Sequence, residues 1–191
     1  MALLVALGVL VCSVQIFAED YAPVVTERIP GSTETPVWTS GAKVMWQEAD
    51  SVVFAHVLEM SGGSRPSACM RAASLQARSE MRRYISESIT SSELLSVEDL
   101  SSDPEFESVT ASLAQGSITG ASVKEQYWEK VLKTDLRGEK TLRILCASKV
   151  QVTRADLDLQ LGRIIEEETA RNPEMRHALM MAQTDFLNSL D

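Results

Sequence analysis

The chain has 191 residues, 45% of them hydrophobic and 24% charged, which suits one globular domain with a real core and is short for two. A formal net charge of −9 argues against nucleic-acid binding, which needs a clustered basic face. The one basic stripe, Arg71, Arg78 and Arg82, has Glu80 and Glu87 beside it and reads as a solvated helix face.

Residues 1–18 are uncharged and apolar and end abruptly at Glu19-Asp20. That is the shape of a secretory signal peptide, with Ile16 and Ala18 at the −3 and −1 positions of a cleavage site. An uncleaved anchor is the rival reading, although the run is at the short end of the about 17–25 residues a membrane span needs. Lipidation at Cys12 is disfavoured, because Val11 stands where a small residue is wanted and apolar sequence continues to Phe17. Membrane attachment therefore stays open, while export of the body is expected either way.

Residues 19–41 carry Pro23, Pro30, Gly31 and Pro36 and read as an extended leader, pinned to the body by Trp38. The main domain is expected over 42–171, opening with a segment at Lys43–Gln47 too brief to assign. Ser51–Met60, rich in β-branched and aromatic residues, reads as a strand buried on much of both faces. Ser64 and Pro66 then open a central helix with Met70, Ala73, Ala77, Met81 and Tyr84 on one side and Cys69 and Ile85 at its edges. Burying Met70 and Met81 is worth about 1.5–3 kcal/mol each before side-chain ordering is counted. The two alanines let a sheet approach closely.

A second strand is expected within Ile89–Val97, and a helix from Ser102 or Asp103 before Pro104, with Phe106, Val109 and Leu113 inward and Gly116 as its stop. Ser117–Leu136 reads as a long strand in which adjacent Tyr127-Trp128 and Val131-Leu132 suggest a bulge. Arg137–Lys140 is a turn, and Thr141–Val152 the partner strand with Leu142, Ile144, Cys146, Val150 and Val152 on one face. Thr153 with Asp156 starts a helix carrying Leu157, Leu161, Ile164 and Ile165. Asn172-Pro173 opens the last, over 172–191, with a stripe of Met175, Leu179, Ala182, Phe186 and Leu190.

That last stripe is widened by Met180, Met181 and Leu187, and methionine re-packs readily against varied shapes. Met175, Leu179, Phe186 and Leu190 are therefore expected to meet a partner protein or a second copy. The alternative is that the helix folds back on its own domain. Cys69 and Cys146 are both expected near the helix–sheet interface, either joined as a disulfide in an oxidising compartment or as two separate buried thiols.

Signals for catalysis are few. His56 and His177 stand far apart and outside any metal-ligand spacing, so no metal site and no cofactor is expected. Ser40-Gly41-Ala42-Lys43 matches the S-x-x-K string of penicillin-recognising enzymes, but no companion motifs follow it. The acidic groups Glu98, Asp99, Asp103, Glu105, Glu107 and Glu166-Glu167-Glu168 lack the pattern of a calcium loop and read as solvated surface.

Pro36-x-Trp38, the strand VVFAHV, Ala73-x-x-x-Ala77-Arg78-x-Glu80-Met81 and the late strand ILCASKVQV follow one order. That order, over about residues 36–165, resembles the bacterial twenty-kilodalton envelope lipoproteins and the related N-terminal domain of the flagellar assembly protein T. The resemblance implies an α+β fold, a central helix packed on a small, mainly antiparallel sheet, here followed by C-terminal helices. It also implies a non-enzymatic protein of the periplasm or outer membrane, with some relatives linked to flagellar assembly, and it brings no catalytic residues. The chain departs from the pattern at Cys12 and at Leu58-Glu59-Met60, where a small-residue ending is expected. The functional expectation is thus an exported envelope protein acting by protein contacts, with a small exported hydrolase or a small-ligand carrier as alternatives.

Overall fold

The hairpin between the two longest strands frames the sheet. β4 (Ser122–Thr134) and β5 (Lys140–Thr153) pair antiparallel from Ser122↔Gln151 to Thr134↔Lys140. Their turn closes because Asp135 Oδ1 accepts the amides of Arg137 and Glu139, while Gly138 takes a φ of 80° that a side chain would resist. The other edge of β5 pairs with β3 (Ser51–Ser61), from Ser51↔Thr153 to Ser61↔Arg143. β2 (Met45–Glu48) flanks β3, and β1 (Val24–Arg28) flanks β4, giving five antiparallel strands in the order β1-β4-β5-β3-β2. This computed structural model describes residues 22–92, 95, 104–116 and 118–190; the signal-like run, Cys12, Glu98, Asp99 and Asp103 lie outside them.

The fold is α+β, as expected, and several local expectations form where the sequence puts them. Two need correcting in the sheet. The leader is not merely extended: Val24–Arg28 is an edge strand, and Met45–Glu48, too short to assign from sequence, is the opposite edge. The irregularity in β4 falls at Val123–Glu125, not at Tyr127-Trp128. Those two adjacent residues are both buried without a bulge because this sheet is covered on both faces here.

Helix α1 (Pro66–Thr90) crosses one face. Its fully buried residues are Cys69, Ala73, Ala77, Met81, Ile85 and Ile89, in steps of four. Each such step overshoots one turn by about 40°, so the stripe winds around the helix. It winds because the helix changes neighbours: Cys69 and Ala73 cluster with Trp128, Ile144 and Cys146 of the sheet alone, whereas Met81, Ile85 and Ile89 join a cluster that adds residues of the other helices to Val52, Phe54, Val150 and Val152. The straight stripe through Met70 and Tyr84 is thereby corrected; Met70 is half-buried and Tyr84 sits outside, its ring 6.1 Å from that of Phe54. The helix also runs on through Ile89 and Thr90, where a strand is expected from sequence.

Helices α2 (Pro104–Gln115), α3 (Arg154–Glu168) and α4 (Pro173–Asn188) complete the core. Thr153 Oγ1 accepts the Asp156 amide at 3.1 Å and Asn172 Oδ1 the Met175 amide at 3.0 Å, so both expected caps form. The α4 stripe is spent internally. Met175, Leu179, Phe186 and Leu190 are buried with Leu157, Leu161 and Ile165 of α3 and Met81 and Ile85 of α1. The expected partner-binding role of these four side chains is therefore corrected, for they face the chain's own core. Residues 172–190 belong to the same domain, and the Leu190 carbonyl accepts the Gln47 amide on the β2 edge at 3.0 Å.

Cys69 and Cys146, 77 positions apart in sequence, form a disulfide with Cα atoms 5.9 Å apart. Both are fully buried beneath Trp128, tying the first turns of α1 to the centre of β5.

Two stability predictions follow from this packing. Leu179→Ala is expected to cost about 2–5 kcal/mol in urea unfolding, while Met181→Ala on the outer face of α4 stays within about 0.5 kcal/mol; equal effects would contradict the burial. The double variant Cys69→Ala/Cys146→Ala should lose about 2–5 kcal/mol, and dithiothreitol should destabilise the parent chain while leaving that variant unmoved.

Candidate functional site

Strand side chains alternate between faces, so the residues of β5 that do not meet α1 present themselves on the other side. These are Leu145, Ala147 and Lys149, between Tyr127 and Glu129 of β4 and Ala55 and Val57 of β3. Among the described residues no helix of the core lies on this face. The leader crosses it instead, as a strap.

The strap leaves β1 where the Ile29 amide donates to the Trp128 carbonyl at 3.0 Å, turns at Gly31 and reaches Pro36. The Pro36 carbonyl accepts both the amide and the hydroxyl of Thr39, winding Val37–Ser40 into one tight 3-10 turn. The chain then enters β2 as the Ala55 amide donates to the Val44 carbonyl at 2.9 Å. Between strap and sheet lies a cleft of about 310 Å³. Pro36, Val37 and Thr39 roof it, and Val57, Leu145, Ala147, Tyr127 and Glu129 form its floor. Its size is at the lower end of ligand-binding cavities, which run from about 300 to 1,000 Å³.

Glu129 is the only carboxylate in this lining, and only 5% of it is exposed. Burying a charge is tolerated only when hydrogen bonds replace lost water. Here the Tyr127 hydroxyl donates to Oε2 at 2.8 Å, the Thr35 hydroxyl donates to it at 2.7 Å, and Arg28 Nε approaches to 3.6 Å. All these contacts fall on Oε2; among the described residues Oε1 takes none. Burial pushes the Tyr127 phenol above its ordinary value, so it stays a donor and is no base at neutral pH.

A second tie holds the strap one step along β5. The buried Lys149 ammonium lies 5.6 Å from the ring centres of both Trp38, on the strap, and Trp46, on β2. It also reaches Glu48 Oε1 at 3.1 Å and Glu125 Oε1 at 3.0 Å. Burial alone would lower the lysine's pKa, but the two carboxylates outweigh it and hold the group above its ordinary value. Glu48 also accepts from Lys124 at 2.6 Å and from Trp46 Nε1 at 2.8 Å. The Lys124 bond, then Lys149 and Trp46, bring its pKa down to about 2 against the opposing effect of burial. The sequence expectation that Trp38 pins the leader is thus given its partner, Lys149.

The other residues singled out from sequence are not brought together. His56 faces α1, half-buried, with Nε2 unpartnered, and burial lowers its pKa; His177 is exposed on α4. Among the described residues no cluster of three His, Cys, Asp or Glu side chains is placed to hold a metal ion. Ser40 Oγ accepts the Ala42 amide at 3.3 Å in a local turn, and Lys43 is exposed. Glu168 is more than solvated surface: it accepts Ser108 at 2.6 Å and Ser112 at 2.7 Å, which lower its pKa and join α2 to α3. Sequence reading missed Thr35, Tyr127, Glu129 and Lys149. The only signal in the sequence was a charged residue within each of two mainly apolar stretches, Glu129 beside Tyr127-Trp128 and Lys149 before Val150.

The Glu48 geometry gives a pH prediction. Its folded pKa of about 2 lies below the ordinary 4.5, so its contribution to stability is present above pH 4.5 and lost as pH falls toward 2. Tryptophan fluorescence should therefore shift to the red over that window as Trp38 and Trp46 are released, and Glu48→Gln should remove the transition. An unchanged acid transition in that variant would assign it to other groups.

Compared with known proteins, the chain matches no family model, no curated protein and no solved structure. The resemblance to the envelope lipoproteins rests on the order of its sequence motifs alone.

Proposed function

We propose that this chain is an exported cell-envelope protein that works by binding a partner protein, not by catalysis, and that the strapped cleft receives a side chain of that partner. The cleft itself carries the reading: its walls are apolar, and it holds one carboxylate where acid–base chemistry calls for groups converging on a reacting atom. The buried Cys69–Cys146 disulfide supports an oxidising compartment, as does the apolar run at residues 1–18. Among the described residues no helix is long and apolar enough to cross a membrane. The motif order shared with the envelope lipoproteins extends the proposal to outer-membrane or flagellar assembly. A small-ligand carrier is the second reading, favoured by the volume of the cleft.

The test uses the exposed roof and the half-exposed floor. A photoreactive side chain at Val37 should give a discrete adduct in intact cells. Val57→Trp, which fills the cleft from the floor, should erase that adduct while leaving the melting temperature within a few degrees. An adduct that persists in Val57→Trp would overturn the assignment of the cleft.

A further inference from the structure

On the strapped face one buried cation, Lys149, stands beside the cleft. The Lys149 ammonium lies 5.6 Å from the ring centres of both Trp38 and Trp46 and meets Glu48 and Glu125. Two residues along β5 on the same face stands Ala147, flanked by Tyr127 on β4 and Val57 on β3. Where position 149 carries a lysine, position 147 carries a methyl group, and the space above it is the cleft. A carboxylate waits at that place too, with Glu129 in the lining and its Oε1 without a donor.

We propose that the occupant of the cleft is an alkylammonium group, supplied by a lysine side chain of the partner; this rests on the reading of the cleft given above. An apolar occupant would cover Oε1 without offering it a hydrogen bond, which is costly for a buried carboxylate. An anionic one would meet Glu129 directly. Arg28 does not take the place of the ligand, since its Nε stands 3.6 Å from Oε2, on the oxygen already served by Tyr127 and Thr35. A lysine satisfies each part, with four methylenes against Pro36, Val57 and Leu145 and a charged donor for Oε1. The net charge of −9 favours approach of such a basic partner.

The probe is n-pentylamine, titrated into the full-length protein at neutral pH while the methyl signals of Val57, Leu145 and Ala147 are followed by NMR. Saturable shifts are expected with the amine, with 1-pentanol at least about tenfold weaker and pentanoate weaker still. Glu129→Gln should reduce the amine to the level of the alcohol. Equal binding of alcohol, pentanoate and amine to the parent protein would overturn the proposal without recourse to any variant, and so would undiminished amine binding by a folded Glu129→Gln. The two readings fail separately. If Val57→Trp loses the partner but the amine shows no preference, only the lysine assignment falls; if Val57→Trp keeps the partner, the cleft is not the docking site.

Discussion

Strand β5 is paired along both edges and covered on both faces, and each neighbouring element is set by one of those four contacts. β3 pairs with it in continuous register and β4 does so from Glu125 to Thr134, which leaves neither free to slip without turning its side chains to the wrong face. On one face Ile144, Cys146, Val150 and Val152 take α1 and the helical layer behind it. On the other, Leu145, Ala147 and Lys149 take the strap. The two coverings differ in kind. Alanines at 73 and 77 let α1 lie close to the sheet, and the disulfide fastens its first turns, so that face is closed by packing.

The strap has no such apolar stripe, and its attachment depends on buried charge. A lone ammonium or carboxylate in this position would be expelled toward water, because desolvation costs several kcal/mol per ion. Lys149 stays because two carboxylates and two indole rings surround it, and Glu129 stays because two hydroxyls donate to it and Arg28 lies near. The strap supplies a member of each set, Trp38 to the first and Thr35 to the second. Removing the strap would leave both charges poorly served, which holds it down despite its small apolar content. Between the two ties, where β5 carries only Ala147, strap and sheet stand apart.

This distribution of packing bears on the proposed docking of a partner. The four apolar residues of α4 that the sequence offers as a docking stripe are consumed by the core, and with them goes the simplest surface for association. The strapped face stays available: its floor is apolar, its roof is a short turn ending at Gly41, and its lining carries one carboxylate with an unused oxygen. The floor of the cleft is a rigid scaffold, since three paired strands, β3, β5 and β4, meet under it.

What the sequence determined by itself is what acts over a few residues. The Thr153–Asp156 and Asn172–Met175 caps, the turn at Gly138 and the amphipathic helices were legible because each depends on partners no more than four or five residues away, and the hairpin followed from its turn and the apolar runs on either side. Pairing of Cys69 with Cys146 was legible as one of two outcomes, since both residues could be placed at the helix–sheet interface from their own periodicities. Tertiary structure decided the rest. Thr35 and Glu129 are 94 residues apart, and Lys149 and Glu48 are 101 apart, so no local pattern could show that these buried charges are satisfied. The winding of the α1 stripe and the turning inward of the α4 stripe depend on which helices lie behind the sheet. An amphipathic period says that a face is buried, but the identity of its cover is set only when distant segments compete for the same apolar surface.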